Sequence, residues 1–357
     1  MKSPAEELVF EDCARVAQEE IASLDALRKS TILISGGSGF MGCWLCEMAN
    51  FLNEAHDAAI RVYVVARDKE KFGEKIGHIA SRPWLEFIRC DVRNLVDLPR
   101  DVNYVIHAAA TPDNRVHTSN PIETMVTIAE GTGALLKAAD RVSNLRMLVN
   151  ISSASVYGSQ PPSLERIPED YQGAPEGGDA GSAYGEAKRY AETLCTAARS
   201  EARLPVVTLR PFAFLGAYQP LDAPWAINNF MSDALSERSI RILGDGKTVR
   251  SLMYGADMAL WILKIMTRTR TGRVYNLGSD QGITLDRLAW MVAKQFRPEP
   301  EIILNASMAG TVPRSVLVPD IGLAKRDFGL TLYTDVETAI KRTIQWHRLG
   351  QDRAGAR

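Results

Sequence analysis

Short apolar runs, four to seven residues long, alternate along this chain with longer segments whose apolar positions recur every three or four residues. The runs predict strands at Thr31–Ser35, Val62–Val65, Leu85–Ile88, Tyr104–His107, Met147–Ser153 and Val206–Arg210. The helical period predicts helices from about Met41 to Asn53, from Ile122 to Ala139 and around Tyr184–Ser200. An amphipathic helix or two, from Ala5 to Leu27, precedes them. Short apolar strands interleaved with helices indicate an α/β fold, a doubly wound parallel sheet covered on both faces. From Pro211 onward the pattern loosens, and helices recur near 227–238, 256–267 and 284–296. This stretch reads as a smaller C-terminal α/β domain closing over the first.

Composition narrows the function classes. Apolar residues make up 46% of the 357, enough for a sizeable core, and the net charge of −1 predicts no nucleic-acid surface. No apolar run approaches the ~18 residues that a membrane span needs. The acidic N-terminus lacks an apolar signal core, so a cytoplasmic location is expected. Five cysteines, an odd number, suggest reduced thiols. Cys43 and Cys46 form a C-x-x-C inside the predicted helix after the first strand, where they read as packing residues. No second Cys or His pair completes a metal site.

The first strand runs into Gly36-Gly37-Ser38-Gly39-Phe40-Met41-Gly42. Gly36 permits a tight turn, Gly39 lets backbone approach a pyrophosphate, and Gly42 lets the helix pack close to the strand. The helix start then offers free N–H groups to phosphates. A strand before and a helix after make this a Rossmann-like dinucleotide site. It divides the chain into a helical extension (1–30), a dinucleotide-binding domain (31–210) and a mainly substrate-binding domain (211–357), with some segment exchange. After the second strand the chain reads Val65-Ala66-Arg67-Asp68, with alanine where a carboxylate for the ribose is expected. Arg67 leans toward NADP, Asp68 keeps NAD open, and a solvated surface charge is the bland alternative for Arg67. Asp91, in Cys90-Asp91-Val92, can accept from an adenine amino group or cap a helix. Ala108, Ala109 and Ala110 are small enough for a cofactor to pass close to the sheet edge, or for simple helix packing. The cofactor-binding set is therefore read as Gly36, Gly39, Phe40, Met41, Gly42, Arg67, Asp91, Val92, Ala108, Ala109 and Ala110, with Tyr184 and Lys188.

Tyr184 and Lys188, in Ser182-Ala183-Tyr184-Gly185-Glu186-Ala187-Lys188, lie four apart on one helix face. A tyrosine hydroxyl has an unperturbed pKa of about 10. A nearby ammonium, with the positive nicotinamide of an oxidised cofactor, favours the phenolate. Tyr184 is then suited to take the proton from an alcohol whose carbon gives up hydride. The Pro- and Gly-rich stretch 158–181 reads as the rim of this site.

In order, the glycine turn, His107-Ala108-Ala109-Ala110, Ser152-Ser153-Ala154-Ser155-Val156-Tyr157-Gly158 and Tyr184-x-x-x-Lys188 resemble the extended short-chain dehydrogenase/reductase family. The likeness is to its nucleotide-sugar epimerase/dehydratase group. It continues through Gly244-Asp245-Gly246…Arg250-Ser251, Tyr254-Gly255-Ala256-Asp257, Tyr275-Asn276-Leu277-Gly278 and Val318-Pro319-Asp320, and so covers Thr31 to His347. The resemblance implies Ser153, Tyr184 and Lys188 as catalytic residues, with Lys188 also holding the nicotinamide ribose. It implies Ser153, Ala154, Ser155 and Arg250 as substrate contacts, Arg250 at the diphosphate. A homodimer pairing helices 122–139 and 184–200 is implied as well. Two positions depart from the family pattern. Where sugar dehydratases place Asp-Glu, and decarboxylases usually keep the Glu, this chain has Ala154 and Ser155. Where Asn touches the substrate, it has Ala213. The expected reaction is epimerisation of a nucleotide-linked sugar through a transient ketone. The alternatives are a dehydratase drawing a carboxylate from Glu186 or the 158–181 loop, a net ketosugar reductase or dehydrogenase, and a non-catalytic dinucleotide sensor.

Overall fold

The computed structural model describes residues 2–305 and 315–355. Ser3 starts the first helix, α1 (Pro4–Ala17), through a reciprocal cap: its hydroxyl accepts from the Glu6 N–H and the Glu6 carboxylate accepts from the Ser3 N–H. A 3-10 helix, Gln18–Leu27, continues it. There follow β1 (Thr31–Ser35), α2 (Phe40–His56), β2 (Arg61–Ala66), α3 (Lys69–Ala80), β3 (Leu85–Arg89), β4 (Tyr104–His107), α4 (Asn114–Ser119), α5 (Pro121–Ala139), β5 (Met147–Ile151), α6 (Ala183–Ala202) and β6 (Val206–Pro211).

Each strand forecast from the apolar runs is present. The fifth stops at Ile151, two residues short of the forecast Ser153. The reason is chemical: the Ser153 hydroxyl accepts from the Ser155 N–H at 3.1 Å and caps a 3-10 turn, Ala154–Tyr157, instead of joining the ladder. The apolar pattern did not announce α3, where Gly73 and Gly77 dilute helix propensity and only Phe72, Ile76 and Ile79 are buried.

Beyond β6 come β7 (Ala213–Leu215), α7 (Ala226–Leu235), β8 (Ile240–Leu243), β9 (Val249–Arg250), β10 (Leu252–Tyr254), α8 (Gly255–Arg268) and β11 (Val274–Leu277). β11 returns to pair with β6, so the main sheet has seven parallel strands in the order β11-β6-β5-β4-β1-β2-β3. A small sheet joins β12 (Ile283–Thr284), β9 and β14 (Val316–Leu317), and β13 (Ile302–Asn305) pairs with β8.

Alternate residues of each central strand feed opposite cores. Ile32, Ile34, Ile106 and Val149 pack with Trp44, Cys46 and Trp261 of α2 and α8. Leu33, Val105 and Leu148 pack with Leu135, Leu136 and Cys195 of α5 and α6. Chain order reverses between β1 and β4, and a crevice at the carboxyl ends of strands is expected there. The N-terminal extension is built into the first core through Val9, Cys13 and Val16. Among the described residues, no helix is long and apolar enough to cross a membrane.

Candidate active site

The reversal point is lined by the glycine turn. Gly36 has φ +73°, and a Cβ there would lie 2.5 Å from the Ala108 carbonyl oxygen, so β4's exit and the turn touch backbone to backbone. A Cβ on Gly42 would lie 2.3 Å from Gly37, which is what seats α2 on the turn. Gly39 is the N-cap of α2 and supplies no side-chain cap. The first N–H groups of Phe40 and Met41 and the positive end of the helix dipole thus suit a diphosphate. Phe40 stacks on Phe214, with ring centroids 6.1 Å apart. The residues present therefore fit a dinucleotide.

Arg67 is exposed at the end of β2, in an open cleft with Ser38, Asp68, Glu70, Lys71, Lys75 and Arg89. Asp68 caps α3 by accepting from the Lys71 N–H at 2.9 Å. Asp91 takes the capping role too: it accepts from the Arg93 N–H at 3.0 Å and holds the Arg93 guanidinium at 3.0 and 2.9 Å. Those hydrogen bonds hold its carboxyl below the usual range. Val92 is buried beneath α5, where a Cβ on Gly131 would come within 2.6 Å of it. Ala108, Ala109 and Ala110 are half-buried along the same edge.

Ser153, Tyr184 and Lys188 come together at the mouth of β5. Ser153 is close enough to the Tyr184 phenol for its hydroxyl to pull that group's pKa down against burial. The Lys188 ammonium is buried, donates to the Ile151 carbonyl at 2.7 Å, and lies 5.8 Å from the Tyr184 ring centroid. Gly185 makes this approach possible, since a Cβ there would meet the Ser155 carbonyl oxygen at 2.8 Å. Burial pushes the Tyr184 phenol up to about 12 against the Ser153 hydroxyl, and burial draws Lys188 down to about 8. The ammonium alone does not bring the phenol toward neutrality; further positive charge at the ring is required.

Two polar groups support the trio: His107, which the sequence offered only as part of a strand end, and Glu192, which it did not single out. His107 is buried between the Ser35 hydroxyl at 2.7 Å and the Thr132 hydroxyl at 3.1 Å, while Thr132 donates to the Ile128 carbonyl at 2.7 Å. With Thr132's proton committed, His107 Nε2–H donates to Thr132 and Nδ1 accepts from Ser35, a tautomer assigned from the network. Burial holds this ring neutral, with a pKa of about 3. One turn beyond Lys188, Glu192 accepts from Ser152 at 2.5 Å and from Arg210 at 3.0 and 2.7 Å. These bonds tie α6 to β5 and β6.

Arg250 stands apart on β9. Its guanidinium donates to the carbonyls of Val249 (2.8 Å) and Ser315 (3.1 Å) and to the Ser315 hydroxyl (2.9 Å). No carboxylate among the described residues pairs with it, and burial lowers its pKa.

Ala154 is buried and Ser155 exposed in the 3-10 turn. Glu186 pairs with Arg189 at 3.5 Å and, two residues from Tyr184, points away from it around the helix. In the 158–181 loop, Glu169 accepts from the Asn276 N–H at 3.0 Å and Asp179 caps a turn at Gly181. Cys43 and Cys46 are buried free thiols, Cys43 pushed up to about 12 by burial.

The family described as NAD dependent epimerase/dehydratase family matches residues 32–278. UDP-glucuronic acid decarboxylase 3 of Arabidopsis thaliana is 30% identical over 298 residues, 84% of this chain and 83% of its own length. UDP-glucuronic acid decarboxylase 1 of Danio rerio is 27% identical, over 89% of this chain and 72% of that protein. The fold is shared with the UDP-glucuronic acid 4-epimerase from Bacillus cereus, solved with UDP-glucuronic acid and NAD (TM-score 0.76, 24% identity, 90% of this chain and 99% of that one). It is shared equally with the dTDP-glucose 4,6-dehydratase from Streptomyces venezuelae, solved with NAD and TYD (TM-score 0.76, 20% identity, 90% and 98%). On the family match, the chain is an enzyme of the NAD dependent epimerase/dehydratase family, within the extended short-chain dehydrogenases/reductases.

Proposed function

We propose that this enzyme inverts a carbon of a nucleotide-linked sugar through a transient ketone, using NAD or NADP bound at the glycine turn. The observation that carries the reading is the joining of Ser153, Tyr184 and Lys188 beside that turn, with only Ala154 and Ser155 where a dehydrating acid/base pair belongs. The Tyr184 oxygen takes the proton from the reacting hydroxyl and Ser153 holds that oxygen in line. Lys188, anchored on the Ile151 carbonyl, keeps a positive charge behind the phenol. Arg250, half-buried with carbonyl and hydroxyl partners, is suited to the substrate's diphosphate. A bound dinucleotide supplies reversible hydride exchange. Two copies pairing α5 and α6 would cover Ile122, 78% exposed, along with Met125 and Tyr190.

Likeness to the UDP-glucuronic acid decarboxylases favours a second reading, loss of carbon dioxide from a nucleotide-linked uronic acid. Ser155, at the position where decarboxylases of the family usually carry Glu, weighs against it.

Incubation with UDP-glucose, UDP-glucuronic acid and dTDP-glucose, followed by mass spectrometry and NMR, separates the readings. Epimerisation leaves mass and dinucleotide redox state unchanged. Loss of water, loss of carbon dioxide or stoichiometric dinucleotide turnover points to one of the others. Tyr184→Phe is expected to lower kcat about 10²–10⁴-fold. Full activity in that variant would defeat the proposal.

A further inference from the structure

The imidazole of His117 lies flat on the Tyr184 ring: the centroids are 4.1 Å apart and the planes differ by 6°. We propose that His117 is a positioning residue for Tyr184, holding the plane of the phenol so that its oxygen stays aimed at Ser153 and the substrate. The inference rests on the reading of Tyr184 as the base, and extends it to a residue outside the Ser–Tyr–Lys set.

Three observations carry it. First, the imidazole is itself immobilised. Its Nε2–H donates to the Thr111 carbonyl at 2.7 Å, and it belongs to α4, whose start is capped by Asp113 accepting from the Arg115 N–H at 2.9 Å. Second, Ala110 and Tyr184 pack against Ile128, Ala187 and Ala191, so the phenol has apolar neighbours from α5 and α6 besides the imidazole. Rotation of the phenol about its own axis would drive its edge into the imidazole. Third, the imidazole is neutral in this role. With Nε2–H committed to a carbonyl, Nδ1 carries the lone pair, and burial lowers the ring's pKa. The charged groups acting on it are Lys188 from α6, which opposes its protonation, and Asp113, the cap of α4, which favours it. Asp113 is itself held by Arg115 at 2.7 Å. A neutral flat ring excludes water from one face of the phenol without adding a positive charge beside Lys188.

The test uses the full chain loaded with NAD⁺ or NADP⁺, and it does not require the substrate to be known. The tyrosinate ultraviolet band is titrated for each protein against its Tyr184→Phe counterpart, which isolates this phenol from the other tyrosines. His117→Ala admits water to the ring face and should raise the acidity of Tyr184 about tenfold or more. His117→Phe keeps a flat ring with no titrating group and should leave that ionisation where it is. If the alanine variant does not fold, His117→Ser, also small enough to admit water, replaces it and is expected to shift the phenol in the same direction. With whichever nucleotide sugar is turned over, the alanine or serine variant should lose kcat about tenfold with KM little changed, and the phenylalanine variant should recover it. An unmoved ionisation in the alanine or serine variant would overturn the proposal, as would a phenylalanine variant that behaves like them. If Tyr184→Phe instead keeps its turnover, the assignment of the base has failed, and the titration still reports whether the imidazole positions that ring.

Discussion

Arg67 and Lys75 are the two cations of the cleft beside Ser38 that make no ion pair among the described residues; Arg89 is paired with Glu70 at 2.6 Å and Lys71 with Asp68 at 3.8 Å. Lys75 spends one proton on the Ser38 carbonyl at 2.9 Å, which draws its ammonium to the rim of the glycine turn. Two unspent positive charges match the dianion that distinguishes NADP from NAD. Arg67→Ala is therefore expected to weaken NADP⁺ relative to NAD⁺ about tenfold, the value of one charge-assisted hydrogen bond. Competitive titration of both dinucleotides checks it, and an unchanged ratio would show that Arg67 does not meet a 2′-phosphate. At this scale the residues legible in the sequence were those whose chemistry is local. The glycine turn and the Tyr-x-x-x-Lys pair each act within one turn of chain. His117 and the Glu192–Arg210 pair carry no such signature. His117 is 67 residues from Tyr184, and Glu192 meets an arginine from the next strand. Only the folded chain puts them together.

Among the elements, α1 departs most from what its sequence suggested. The amphipathic pattern announced a helix but no role for it. In the structure its Asp12 is fully buried, with Arg342 of the helix Val336–Gly355 at 2.7 Å, Arg15 at 3.2 Å and the Tyr254 hydroxyl donating at 2.6 Å. Burial raises the Asp12 carboxyl even against these partners, so desolvation outweighs pairing at this one group. Removing it still leaves the Tyr254 hydroxyl without its acceptor and Arg342 with only the Leu8 carbonyl at 2.7 Å and Glu11 at 3.2 Å. Asp12→Ala is expected to cost about 3 kcal/mol of stability, as breaking buried pairs does. Thermal or urea unfolding measures it, and a loss below about 1 kcal/mol would show that water replaces the carboxylate. The strands were easier to read. Six of the sheet's seven lie where the apolar runs put them; the central strands are plainest, because a strand buried on both faces is apolar, whereas the edge strand β3 exposes Glu86 and Arg89. The seventh, β11, was recognised as a family segment without its place in the sheet, since pairing with β6 is a long-range choice that no run of residues encodes.

For the molecule as a whole, two histidines set a direction for its response to acid. His107 is held near a pKa of about 3 by burial and by Lys188, and His347 near about 4 by burial. Both lie below the ordinary value of about 6.5. As pH falls below that value the unfolded chain takes up protons that the folded chain refuses. Stability is therefore fully present above about 6.5 and drains away toward 4, by about 1.4 kcal/mol per pH unit for each ring. Unfolding midpoints measured across that range should fall with pH, and the slope should be shallower in His107→Gln. An identical slope in the variant would place the uptake elsewhere.

The edge strand β11 has a consequence for biosynthesis. A nascent chain that has delivered β1 to β6 from the ribosome still presents a raw hydrogen-bonding edge at β6. That edge is not covered until Val274–Leu277 emerges, after the whole excursion through β7 to α8. Over that interval the half-made sheet is open to pairing with other chains, and it is where a chaperone at the ribosome would have most to protect.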